Sequence, residues 1–212
     1  MKYFLYLTAI ILLTSCHAKQ TSLIKNEDII RIDSIKNPVK DTIVFSKISN
    51  KWKYEWNYYV SSEIKNNREI FINKDSLYRN DLIKLSPNYY SLSNNQKISF
   101  WTLLIASIAK FESNFDPNCR FKENASLNYV YSEGLLQLSY GDETRFNIPL
   151  NTEKQNILIP EINLRSGTII FAKQLKVKKT IFPNKYYYWS VLTNKQNDII
   201  EFFKKSSKEL NF

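Results

Sequence analysis

Glu112 closes a run that is otherwise apolar. Ile98, Phe100, Trp101, Leu103, Leu104, Ile105, Ile108, Ala109 and Phe111 precede it, and Ser113-Asn114-Phe115-Asp116-Pro117 follow. A helix that is apolar almost all round is a buried helix. A carboxyl at its end is costly unless it is paired or keeps its proton. A carboxyl held neutral near pH 7 can give a proton to a leaving oxygen and, once ionised, take a proton back. Glu112 is therefore the first candidate for acid–base chemistry. The chain holds a single histidine, His17, so a Ser–His or Cys–His nucleophile pair has no base to use. A His-ligated zinc site is equally unsupported, and no metal or cofactor is expected.

The elements that must position Glu112 can be placed from pattern. Its helix is expected over about 96–113, started by the capping residues of 91–95 and stopped by Pro117. Residues 118–131 show no clear period and read as a loop or a small strand pair. Residues 134–138 open another apolar element, with a polar continuation over 141–146. A helix is expected from Glu161 to about Val177, with Leu164, Ile169, Phe171 and Leu175 on its buried side. Lys176, Lys178 and Lys179 suit its C-terminus. The last strongly apolar cluster spans 186–192, and 198–210 reads as an amphipathic helix. Upstream, Trp52, Trp56 and Tyr59 fall on one helical face. Burial is the default for such a stripe, and stacking on a sugar ring is the alternative. Residues 63–79 read as a weak helix or turn region, and 81–85 as a short apolar segment stopped by Ser86-Pro87. The chain's three glycines, Gly134, Gly141 and Gly167, all lie downstream of Glu112. Each is expected to mark positive φ or a close backbone approach.

The first residues have a different character. Lys2 is followed by an apolar stretch over 3–13 that is too short to span a bilayer and suits a signal-peptide core. Leu13-Thr14-Ser15-Cys16 resembles the bacterial lipobox, which implies a lipidated Cys16 as the mature N-terminus and a membrane anchor that does not span. The expected organisation is a signal over 1–15, a lipidated cysteine and tether over 16–50, and one domain over 51–212. His17, where aspartate is absent, resembles the sorting pattern of an outer-membrane lipoprotein facing the periplasm. With Cys16 lipidated, Cys119 is expected to stay a thiol. The net charge of +10 attracts polyanions. Nucleic acid is the default partner of a basic cytosolic chain, but an envelope address leaves cell-wall polymers and anionic lipid heads, and no nucleic acid is expected.

Three short motifs then occur in order: Glu112-Ser113, Ser132-Glu133-Gly134-Leu135-Leu136-Gln137 and Asn163-Leu164-Arg165-Ser166-Gly167. Together they resemble the lytic transglycosylase (SLT-type) branch of the lysozyme-like superfamily, over roughly 52–203. The resemblance implies a mainly α, α+β lysozyme-like fold, a single helical domain with a small loop or β-hairpin region. It implies peptidoglycan glycan strands as substrate. Glu112 would be the sole general acid/base that cleaves the MurNAc–GlcNAc β-1,4 bond and leaves 1,6-anhydroMurNAc. The resemblance also implies that Ser113 orients Glu112, that Ser132 and Gln137 bind sugar or its N-acetyl group, that Gly134 lets backbone approach it, and that Asn163 braces the core. For Ser113 and Asn163, capping or packing is an equal reading. The family's Tyr-Asn-x-Gly run is missing; Tyr188, then Tyr187, is the substitute for its tyrosine. Two other readings stand beside this one. A lysozyme-type hydrolase would need a second carboxylate, for which Glu133, Asp142 and Glu143 are available, each expected on a solvated face. A non-catalytic peptidoglycan-binding lipoprotein would use the same scaffold.

Overall fold

The computed structural model describes residues 48–123, 130–185 and 187–208. The expectations for Cys16, the signal segment and nearly all of the tether lie outside the described residues.

The central element is α3 (Asn94–Ser113), longer at its start than its apolar run alone dictates. Ser93 begins it with a capping box: its hydroxyl accepts the Gln96 backbone N–H, and the Gln96 side chain accepts the Ser93 N–H. Every residue from Ile98 to Ala109 is buried. The hydroxyls in that stretch are satisfied within the helix, Thr102 donating to the Ile98 carbonyl and Ser107 to the Leu103 carbonyl, each at 2.8 Å. That back-bonding lets polar residues sit in a core helix without stranded groups.

Helices α1 (Tyr54–Asn66) and α7 (Gln196–Lys208) pack on α3, and α1 also packs on α5 (Pro160–Lys178). Trp52 and Trp56 are buried and meet edge to face at 5.3 Å, so these two members of the upstream stripe are core, with Tyr59 half-buried against it. Residues 63–79 hold the end of α1, a π turn over Glu69–Asn73 and a 3-10 turn over Asp75–Tyr78. The segment before Pro87 forms α2 (Arg79–Leu85). Its Asp81 accepts from the Thr180 hydroxyl and the Ile181 N–H, which anchors the chain as it enters the last apolar cluster.

After α3 the chain makes a hairpin, β1 (Arg120–Lys122) with β2 (Tyr131–Glu133), in antiparallel register with Phe121 opposite Ser132. The remaining elements among the described residues are a 3-10 turn over Tyr89–Ser91, α4 (Asp142–Phe146) and α6 (Val191–Asn194). Pro160 starts α5 at its first turn, where a missing N–H costs nothing. Arg165 fastens α5 to α1, bonding Glu63 at 2.7 Å and Glu161 at 2.9 Å. On α5, Ile170 is buried and Ile169 only half-buried, so the expected apolar face is displaced by one residue at that turn. Among the described residues, no helix is long and apolar enough to cross a membrane.

Candidate active site

Helix α3 ends abruptly at Glu112-Ser113. Asn114 (φ 52°) and Phe115 (φ 65°) are both left-handed, a strained pair for side-chain-bearing residues. The reversal tucks Phe115 into the core, 5.6 Å from Trp52, while Phe111 meets Phe202 at 6.3 Å. Glu112 lies half-buried between these rings in sequence, and among the described residues nothing hydrogen-bonds to its carboxylate. Desolvation alone pushes that carboxyl up to about 8. At neutral pH the group keeps its proton.

The segment after β2 meets the end of α3 at Ser113, and three distant elements clamp it. The Ser113 hydroxyl reaches the Leu135 carbonyl at 2.9 Å as well as its own helix at Ala109. The Asn163 carbonyl oxygen accepts the Leu136 N–H at 2.9 Å, and its amide donates to the Glu133 and Ile157 carbonyls, each at 3.0 Å. The Trp189 indole donates to the Leu136 carbonyl at 2.8 Å. Gly134 sits under Asn163 at φ 77°, and a Cβ there would collide with the Asn163 amide. A Cβ on Gly167 would collide with the Leu136 side chain. Those two glycines meet the expectation of positive φ or close approach. Gly141 does not: its φ is −59° and a Cβ would have only an ordinary contact.

The remaining predicted residues divide. Ser113 makes no bond to Glu112; its hydroxyl ties the helix end to the segment after β2 instead. Buried Gln137 (φ 48°) spends its amide nitrogen on the Gly134 and Cys119 carbonyls, at 2.8 and 3.1 Å, which leaves its carbonyl oxygen to meet a ligand donor. Ser132 is half-buried on the hairpin and donates to Glu123. Cys119 is a buried thiol whose carbonyl also accepts the Gly134 N–H at 2.8 Å. Of the two tyrosines, Tyr188 is the one whose hydroxyl feels the Glu112 charge. Burial first, then Asp142, raises that hydroxyl far above the ordinary tyrosine range. It donates to Asp142 Oδ2, which also accepts the Ser139 N–H at 2.9 Å. Tyr187 faces Phe171, Tyr78 and Asp81, and its buried hydroxyl has no hydrogen-bond partner among the described residues.

The acids expected on solvated faces are placed differently. Glu133 is buried and paired with Arg120 directly across the hairpin, and Asp142 is buried against Tyr188. Glu143 is partly buried and accepts from the Thr152 hydroxyl and N–H at 2.7 and 3.0 Å. Buried carboxylates persist where partners replace water, and each of these has such partners. Asp142 and Trp189 are site residues that sequence patterning missed. The signal for Trp189 was its indole N–H, which needs an acceptor once buried. Asp142 stood out in the sequence only as a possible second carboxylate on a solvated face; its pairing with Tyr188 was not legible, because the two lie 46 residues apart.

Residues 90–190 match the family described as Transglycosylase SLT domain. This region is an SLT-type, lysozyme-like domain. Its helical architecture with one small hairpin is the α+β lysozyme-like fold that the motifs imply. Solved structures of the protein Bd0314 DslA are similar to the chain. A glutamate-to-glutamine variant shares 26% identity at a TM-score of 0.60, and the wild-type form 2 shares 26% at 0.58. A second glutamate-to-glutamine variant shares 24% at 0.57. Each match covers 72% of this chain and 90% of the other. No curated protein sequence matches the chain.

Proposed function

We propose that the SLT-type domain is a peptidoglycan lytic transglycosylase with Glu112 as its single general acid/base. The observation that carries this reading is a half-buried, unbonded carboxyl, raised to about 8, at the end of the core helix inside the matched region. Protonated Glu112 gives its proton to the glycosidic oxygen between MurNAc and GlcNAc as the bond from muramic C1 to that oxygen breaks. The carboxylate left behind then takes the proton of the muramic C6 hydroxyl as O6 closes on C1. The product is 1,6-anhydroMurNAc. Glu112 ends as it began, and no water is consumed.

Glu133, Asp142 and Glu143, the acids that a hydrolase could use as its second carboxylate to activate water or to trap C1, are each engaged by protein groups, and Glu123 lies out along the hairpin, bonded by Ser132. Tyr188, fixed by Asp142 close to Glu112, takes the place of the family's missing tyrosine. The Gln137 carbonyl oxygen is available to an acetamido N–H of the sugar. The basic surface and the lipobox-like Leu13-Thr14-Ser15-Cys16 support an envelope address. On this reading the protein hangs from the outer membrane by lipid on Cys16 and works on glycan strands in the periplasm.

Mass spectrometry of muropeptides released from purified peptidoglycan tests the activity. Wild type is expected to release anhydro-terminated products and Glu112→Gln none. Reducing-end products from the wild type, or undiminished release by Glu112→Gln, would reject the assignment.

A further inference from the structure

We propose that Glu123 is a substrate-binding residue of the same site. With Ser132 and Phe121 it forms the face of the β-hairpin that holds a sugar beside the bond Glu112 cleaves; the inference rests on the transglycosylase reading above.

The register sets the face. Phe121 is opposite Ser132, and the pairing continues one residue past β1, where the Glu123 N–H meets the Val130 carbonyl at 2.9 Å. Side chains alternate along a strand, so Phe121, Glu123 and Ser132 share one side. Arg120 and Glu133 pair on the other, with Arg120 lying over Tyr131 at 5.4 Å. The hairpin base is fixed to the catalytic helix, because Gly134 bonds Cys119 and Leu135 bonds Ser113. The face therefore rises from the end of α3.

Its chemistry suits a glycan. The Ser132 hydroxyl donates to Glu123, which is its one side-chain partner among the described residues. The pair then shows outward only acceptors, the carboxylate oxygens and the serine lone pairs. Hydroxyl and amide N–H donors of an amino sugar complement such a surface, and bonds from them to a carboxylate are charge-assisted. Phe121, 59% exposed on the same side, offers a flat apolar patch to a ring. Glu133, Asp142 and Glu143 are occupied by protein partners, whereas Glu123 is exposed and accepts only from its hairpin neighbour Ser132 among the described side chains.

Four extended residues, about 13 Å of strand, carry Glu123 away from Cys119. That reach fits a neighbouring sugar better than a proton shared with Glu112.

The test uses the full chain with purified peptidoglycan. Binding is measured by co-sedimentation on the inactive Glu112→Gln protein, with and without Glu123→Gln. Steady-state kinetics are measured for Glu123→Gln alone. The second substitution is expected to weaken binding about tenfold, the order of one lost charge-assisted contact. KM should rise by a similar factor, with kcat within about threefold and the pH profile unmoved. Because Glu123 is exposed, an unchanged melting temperature checks the fold. Equal binding by the single and double variants would overturn the role of Glu123 alone. So would a collapse of kcat at constant KM, which would make Glu123 a proton-transfer group. Failure of folded Glu112→Gln to bind peptidoglycan at all would overturn the transglycosylase reading itself, and this proposal with it.

Discussion

Replacing Glu112 by glutamine should stabilise the domain, and by an amount that depends on pH. The folded carboxyl sits at about 8 against 4.5 for the free side chain, with burial as the cause. Between those values the folded state holds a proton that the unfolded state has released. Stability of the wild type must therefore fall as pH rises from 4.5 to 8, and level off above. At pH 7 the deficit relative to pH 4 is about 3 kcal/mol, from 1.36 kcal/mol per unit across the interval. Glutamine fills the same space and does not titrate, so it escapes this penalty. The gap between variant and wild type should widen by that amount from pH 4 to pH 7. In a domain of this size it corresponds to a rise in Tm of about 6–12 °C at pH 7. Urea or thermal melts of both proteins at half-unit steps from pH 4 to pH 9 read it directly. Parallel stability curves across pH 4.5–8 would refute the desolvated-acid argument, whatever the variant did to activity.

Three further outcomes follow from the same geometry. The rate should fall about tenfold per pH unit above about 8, as the acid form of Glu112 is lost; a pH–kcat profile that stays flat to pH 10 would contradict it. Asn163→Ala strands the Leu136 N–H and the Glu133 and Ile157 carbonyls in the interior, and should cost about 3–5 kcal/mol in a urea melt; a loss below about 1 kcal/mol would mean that water replaces the amide. Tyr188→Phe removes the hydroxyl that Asp142 accepts, so stability should drop by about 1–3 kcal/mol. Asp142→Asn in that background should restore part of it, and a double-mutant cycle showing no coupling would dismiss the pair.

The helices around Glu112 were legible because their signals are local. The Ser93–Gln96 cap, the unbroken apolar run and Pro160 each act within a few residues. Glu112 itself stood out as a carboxyl that the pattern could not solvate. What failed to show was every partner supplied from elsewhere. Glu133 and Asp142 look like surface acids in a list of residues, since carboxylates are mostly exposed. They are buried only because Arg120 and Tyr188 arrive across the fold. Ser113 and Gln137 carry the right residue types, yet their polar atoms brace backbone before they can serve a ligand. Trp189 does similar bracing where the family motif is missing, by holding the Leu136 carbonyl. Gly141 shows the limit of reading a rare residue as a signal, because its backbone is ordinary.

The central claim is that one carboxyl carries out both proton steps without water. Digestion of purified peptidoglycan in ¹⁸O-labelled water, followed by mass spectrometry of the newly made muramic ends, tests it most directly. The account predicts anhydro ends that carry no ¹⁸O with the wild type, and none at all with Glu112→Gln. Incorporation of one ¹⁸O at each new muramic C1 would contradict it and make the domain a hydrolase.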